Sequence, residues 1–404
     1  MAFLSQRCPP GMCDCSFTCH DNPLNVLRGH GASHPFLVAR RRYYQWGKYY
    51  GKSGYMRVCS HSQQRSTPHF VLAPSPNQLH QPGNSRVEFC NDQAVQSKWW
   101  DTTDLADLAG RVHLVTGANA GIGLEVAKEL ARRKGEVHML CRNKERGEKA
   151  RIEVTEETGN KNVFLHVVDV SSTASVRAFA RQFLSRPQAK VDVLVNNAGV
   201  LNTERLKSEE GIEHCFATAM GGTILLTGLL WPALKRAAPS VVINVSSAGM
   251  FNAWATPKDL EYGKEPYDGV LQYAKVKRAQ SEITEMWAQK TVGSGVSVQC
   301  MHPGYAATPG TEKLPGLVDK KEGSFFEEHG PKLRTAAQGA DTIVWMASAP
   351  KVRETSGLFW ADRRAVNPHF TLGGTKISKK DKDLLWEECF RIMGAKWKGD
   401  GEVE

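Results

Sequence analysis

No run in the 404 residues approaches the roughly 20 uninterrupted apolar residues that span a bilayer. The longest candidate, Gly222 to Leu234, is too short and contains Pro232, so a soluble chain without a transmembrane span is expected. Paired cysteines are also lacking. Six of the ten cysteines fall in the first hundred residues, and Cys141, Cys215, Cys300 and Cys389 stand apart in apolar or helical surroundings. That pattern excludes a disulfide framework and suits a reducing compartment. Acid is scarce at the start, where residues 1–100 hold 11 Lys/Arg against 4 Asp/Glu. Most of the net charge of +10 therefore belongs to this segment, and the remaining 304 residues carry +3. The segment shows no nucleic-acid-binding module and interleaves its aromatics with few cations, so no nucleic-acid partner is expected.

Residues 1–95 have no sustained apolar period and are rich in Pro, Gly, Ser, His and Gln, as in Leu72-Ala73-Pro74-Ser75-Pro76. Such a stretch cannot bury enough apolar surface to offset its chain entropy, and disorder is expected there. A short helix is the exception over Arg40 to Tyr55, where Tyr43, Tyr44, Trp46, Tyr49 and Tyr50 can share one side. Cys13-x-Cys15-x3-Cys19-His20 does not form two paired knuckles, so no metal site is predicted. The cytoplasm is the expected location, or the mitochondrion if the Arg-rich, acid-poor start acts as a transit peptide.

The remainder reads differently. Val112-His113-Leu114-Val115-Thr116 is a buried strand followed at once by glycines and a helical run, Leu124 to Arg133. Further apolar strands lie at Val137–Leu140, Val163–Val168, Val191–Val195, Val241–Val245 and Val296–Met301, with helical patterns between them. Strands alternating with helices imply a parallel sheet covered on both faces. The expected fold is α/β, a doubly wound, Rossmann-type single domain over 96–370. A tail follows at 371–404, in which Asp381 to Lys396 places Leu384, Leu385, Trp386, Cys389, Ile392 and Met393 on one helical face. That helix is expected to dock on the domain or on a second copy in a homo-oligomer.

Thr116-Gly117-Ala118-Asn119-Ala120-Gly121-Ile122-Gly123 joins the first strand to the first helix. Gly117 permits a tight turn, Gly121 lets backbone approach a pyrophosphate, and Gly123 lets helix pack on strand, with Ile122 between them and the helix N-terminus facing the anion. After the second strand an acid would bind the ribose 2′-hydroxyl of NAD. This chain has Arg142-Asn143-Lys144 instead. Arg142 can pair with a 2′-phosphate, so NADP(H) is the predicted cofactor. Asp169-Val170, after the third strand, would border the adenine. Tyr273 and Lys277 lie one helical turn apart, and an ammonium beside a phenol favours its ionised form. Ser246-Ser247, closing the strand before them, could present a hydroxyl to a carbonyl.

With the glycine turn, Asn196-Asn197-Ala198-Gly199 after the fourth strand, Ser247, Tyr273-x3-Lys277 and Pro303-Gly304 in this order, the chain resembles the short-chain dehydrogenase/reductase family over roughly Gly110 to Phe370. The resemblance implies that Ser247 orients substrate, Tyr273 donates or accepts the proton and Lys277 assists. It also implies that Asn197, Ala198 and Gly199 line the cofactor beside Pro303 and Gly304, and that Thr308 bonds the nicotinamide carboxamide. Ala248 to Gln272 forms a long loop before Tyr273. Met250, Phe251 and Trp254, with Leu314-Pro315-Gly316-Leu317 and Phe325-Phe326, point to an apolar pocket. The expected function is an NADP(H)-dependent oxidoreductase interconverting a carbonyl and an alcohol on an apolar small molecule. One departure supplies the alternative. The family has an asparagine in the helix after the fourth strand, helping to hold a water that links the lysine to solvent, and this chain has Ala219 there, with Thr218 beside it. A catalytically weak NADP(H)-binding regulatory or interaction protein is that alternative.

Overall fold

The computed structural model describes residues 105–308, 310, 333–369 and 374–404. The sequence readings for 1–95, and those for the 314–317 and 325–326 loop, lie outside the described residues.

The five central strands are β1 (Val112–Thr116), β2 (Glu136–Cys141), β4 (Val193–Asn196), β5 (Ser240–Val245) and β6 (Val296–Met301). All five are buried almost throughout. That continuous burial is what a parallel sheet covered on both faces requires. β3 (Val163–Val167) is buried only at Val163 and otherwise partly or fully exposed, because it is an edge strand. The sheet order is β3-β2-β1-β4-β5-β6, continued by β7 (Phe359–Ala361) and β8 (Arg364–Val366), so the chain reverses direction of travel between β1 and β4. Neighbours from β3 to β7 run parallel, and β8 turns back antiparallel.

β7 (Phe359–Ala361) and β8 (Arg364–Val366) are absent from the sequence reading. Each has three residues, too few to show a period. Their two-residue turn uses Asp362 and Arg363 at positive φ, with no glycine to mark it. Ion pairs of Arg334 with Asp362 and of Arg363 with Asp341 hold it.

Among the described residues seven longer helices cover the sheet: α1 (Gly121–Arg132), α2 (Lys144–Thr158), α3 (Thr173–Leu184), α4 (His214–Met220), α5 (Gly269–Lys290), α6 (Ala336–Ser348) and α7 (Lys379–Ile392). The apolar run after α4 is a buried π-helical stretch, Gly221–Leu226. Gly221 is obligatory there, since a Cβ would overlap the Val170 carbonyl oxygen. α5 begins four residues before Tyr273, at Gly269, with the Asp268 side chain capping it, so the preceding loop ends earlier than the sequence suggests.

The C-terminal helix docks on this domain. Leu385, Trp386, Cys389, Phe390 and Met393 are buried, and Trp386 packs against Trp287 of α5, Phe390 and Trp397 at ring distances of 5.7, 4.4 and 5.1 Å. Charge closes the same seam. Buried Arg278 of α5 pairs with Glu282 at 3.1 Å and donates to the Thr375 carbonyl, while Lys382 of α7 reaches Glu282 and Glu285 at 3.2 and 2.7 Å. Trp386→Ala should therefore cost about 3–5 kcal/mol of stability, read as a lower urea midpoint in an unfolding titration. A midpoint within error of the wild type would show that the helix does not brace the domain.

Candidate active site

The glycine turn is fixed by the element that follows β4. Gly117 and Gly121 have φ of 65° and 55°, the left-handed region that favours glycine. At Gly123 a Cβ would collide with the Gly117 carbonyl oxygen and the Asn197 amide nitrogen. That amide donates to the Thr116 carbonyl at 2.9 Å, and the Ala198 N–H donates to Thr116 Oγ1 at 2.9 Å. The two loops therefore hold one another. α1 starts with no side-chain cap, leaving its first N–H groups to a ligand or solvent. Ile122 is half-buried and supports α6 at Gly339.

At the far end of this groove Arg142 is exposed. It lies 3.8 Å from Asp169 and donates to His214 Nε2 at 3.2 Å. A guanidinium only donates, so Nε2 accepts, and the Asn202 amide nitrogen lies 3.1 Å from Nδ1. Burial, and then the charge of Arg142, keep His214 below its usual pKa. Asp169 is otherwise occupied by the Ser171 N–H and hydroxyl at 2.9 and 2.6 Å. Val170 is buried under the π-helical stretch. Asn143 is exposed, and its side chain caps α2 by accepting from the Arg146 N–H at 2.8 Å.

Tyr273 and Lys277 share one face of α5. The Lys277 ammonium lies 5.6 Å from the Tyr273 ring centre and is buried. It donates to the Val245 carbonyl at 2.7 Å and to Gln280 Oε1 at 3.1 Å. Burial lowers its pKa to about 8. Burial also pushes the Tyr273 phenol well above its usual range, Cys215 adding to the effect, while a hydrogen bond with the Ser247 hydroxyl opposes it. Burial thus outweighs the lowering expected from Lys277, and the phenol is held protonated.

The two serines divide. Ser246 is buried and donates to the Lys277 carbonyl at 2.9 Å, whereas Ser247 is half-buried, accepts from the Gly249 N–H and meets Tyr273. Gly199 lies beside Lys277, where a Cβ would come 3.3 Å from Nζ. Gly304 has a φ of 78° under the Arg334 guanidinium, which donates to the Pro303 carbonyl at 3.1 Å. Thr308 is half-buried at the margin of the described residues.

One expectation changes. Met250 and Phe251 are core residues packed with Phe359, so they line no open pocket. Trp254 is tied down through its indole N–H to the Gly374 carbonyl at 3.0 Å. Thr218 donates to the His214 carbonyl of its own helix, and so does not replace the missing asparagine. The sequence reading also passed over buried polar groups that position the site. Glu213 caps α4 through the Cys215 and Phe216 N–H groups and accepts from Tyr267 and Gln272, tying the long loop to the residue before Tyr273. Asn196, Asn244 and Thr284 form a chain beneath β4 and β5.

The chain belongs to the short-chain dehydrogenase/reductase family: a short chain dehydrogenase model matches residues 111–316. It is similar to human dehydrogenase/reductase SDR family member 12, at 39% identity over 69% of this chain and 85% of that protein. Mouse retinol dehydrogenase 12 is 32% identical over 73% of this chain and 90% of that one. A crystallised, uncharacterized protein of Mycobacterium paratuberculosis superposes with a TM-score of 0.57 at 25% identity, covering 73% of this chain and 97% of the other. The relatives place the chain among the dehydrogenases and reductases.

The serines generate a test. Ser246→Ala removes a buried bond to the Lys277 carbonyl and should lower stability by about 1–2 kcal/mol, while Ser247→Ala, at a half-buried hydroxyl, should lower it by less. Equal destabilisation by both would contradict the division.

Proposed function

We propose that the protein is an NADP(H)-dependent oxidoreductase that interconverts a carbonyl and an alcohol on an apolar small molecule. The observation that carries this is the convergence of Ser247, Tyr273 and Lys277 beside a glycine turn whose helix N-terminus has no side-chain cap.

The residues present fit a dinucleotide. Gly117 and Gly121 give the turn its left-handed backbone, Gly123 lets α1 close against the two loops, and the first N–H groups of α1 suit the charge of a pyrophosphate. Arg142 would meet a 2′-phosphate, with Asn143, Asp169 and Val170 around the adenosine. Asn197, Ala198 and Gly199 would line the middle of the groove, and Pro303, Gly304 and Thr308 the nicotinamide end. A bound NADP(H) supplies or takes the hydride.

The protein's own residues handle the proton. In reduction Ser247 donates a hydrogen bond to the carbonyl oxygen and Tyr273 gives that oxygen its phenolic proton, leaving an alcohol and a phenolate. In oxidation the phenolate takes the proton back. The Lys277 ammonium stabilises the phenolate electrostatically, and with two donors engaged by Val245 and Gln280 it keeps a third for a ribose hydroxyl. An apolar substrate is supported by the retinol dehydrogenase relatives and by Val270 and Leu271, which expose apolar surface in the first turn of α5. Ala219 favours a second reading, a cofactor-binding protein without turnover.

Tyr273→Phe should reduce NADPH oxidation across a panel of retinoid, steroid, lipid and small aldehydes by about 10²-fold or more, with NADPH binding retained. Unchanged turnover in that variant would refute the mechanism, and NADPH binding without wild-type turnover would select the second reading. Arg142→Glu should reverse the NADPH preference over NADH in a binding titration. A variant that still prefers NADPH would remove Arg142 from the site.

A further inference from the structure

Lys277 is a buried ammonium, and among the described residues no Asp or Glu pairs with it. The groups facing it are Tyr273 on its own helix, Cys215 on α4 and Cys300 on β6. Both thiols are held protonated, since burial pushes Cys215 far up and Cys300 to about 12. They bring no compensating charge near neutral pH. What remains to hold the cation is hydrogen-bonded oxygen, from the Val245 carbonyl and from Gln280.

Gln280 is fully buried, three residues after Lys277 on the same face of α5. Its Oε1 accepts from Nζ at 3.1 Å, and its Nε2 donates to Thr223 Oγ1 at 2.8 Å. The ammonium only donates, so the amide presents its oxygen there, and the bond from its nitrogen to Thr223 pins the side chain in that orientation. Thr223 is itself placed by the π-helical stretch, one residue beyond Gly221 and Gly222, where the backbone passes too close to Val170 and Asn196 for larger side chains. Thus the helix that carries Ala219 instead of asparagine reaches the lysine one turn later, through Thr223.

We infer that Gln280, locked by Thr223, is the positioning residue that holds the Lys277 ammonium in this chain, in place of an asparagine at 219. The inference rests on the proposed function for its meaning in turnover, but not for its physical content. An acceptor on the ammonium favours the charged form and opposes burial. Removing it should let burial win, and an anion in its place should overcompensate.

The test reads the lysine directly. The full chain, without cofactor, is labelled at the lysine side chains, and the Lys277 signal is assigned by its loss in Lys277→Arg. Its titration is then followed by NMR. The wild type should titrate near 8. Gln280→Leu should lower the midpoint by about one pH unit, Thr223→Val should lower it by less, and the isosteric Gln280→Glu should raise it by about one unit or more. Turnover should follow, with the alkaline limb of the pH profile moving down in Gln280→Leu and up in Gln280→Glu. A Lys277 midpoint unchanged in both Gln280 variants, or moved the same way in both, would overturn the inference. Opposite shifts in a chain that never oxidises NADPH would support it while refuting the proposed activity.

Discussion

Gly123 has no room for a side chain, and the site is built around that constraint. The space a Cβ would take is held by the Gly117 carbonyl and the Asn197 amide, and the same amide bonds the Thr116 carbonyl. One close contact therefore sets three things at once: the turn after β1, the approach of α1 to the sheet and the path of the chain leaving β4. It falls where the strand order reverses, the position at which open α/β sheets leave a crevice for ligands. Two loops that diverge at this point can cradle a dinucleotide only if their separation is fixed, and here each is hydrogen-bonded to the other.

A second brace fixes α5 against that frame. Ser246 at the end of β5 donates to the Lys277 carbonyl, and Lys277 returns a bond to the Val245 carbonyl, so strand and helix are joined in both directions beside the phenol. From behind, Arg278 and Glu282 connect α5 to the C-terminal helix through Lys382. From the side, Glu213 holds Gln272, the residue before Tyr273. Charges and amides buried this thoroughly cost stability unless they are paired, and the pairing is what makes their placement definite. The direction of the perturbed pKa values follows. Burial raises the phenol and lowers the ammonium, so a proton is kept on Tyr273.

Much of this was legible in the chain because it is written locally. The buried strands are runs of valine and leucine, and the glycines of the turn are separated by the spacing that the crevice requires. Tyr273 and Lys277 announce themselves by one helical turn. What was not legible depends on contacts between distant segments. Gln280 looks like any polar residue of a long helix until Thr223, 57 positions earlier, is brought to its amide. Met250 and Phe251 have the composition of a pocket wall and become core only when β7, too short to predict, supplies Phe359. The choice between Ser246 and Ser247 is likewise a matter of which hydroxyl faces the helix and which faces the phenol. His214 gives no signal at all before it meets Arg142.

The crevice at Gly123 is read by titrating NADPH into the wild type and Gly123→Ala, with the unfolding midpoint of each measured alongside. The wild type should bind NADPH, and the added methyl should weaken binding by about tenfold or more, a loss of at least 1.4 kcal/mol, in a chain that remains folded. Equal affinity in the two proteins, or a wild type that binds no NADPH, would overturn the role given to this contact.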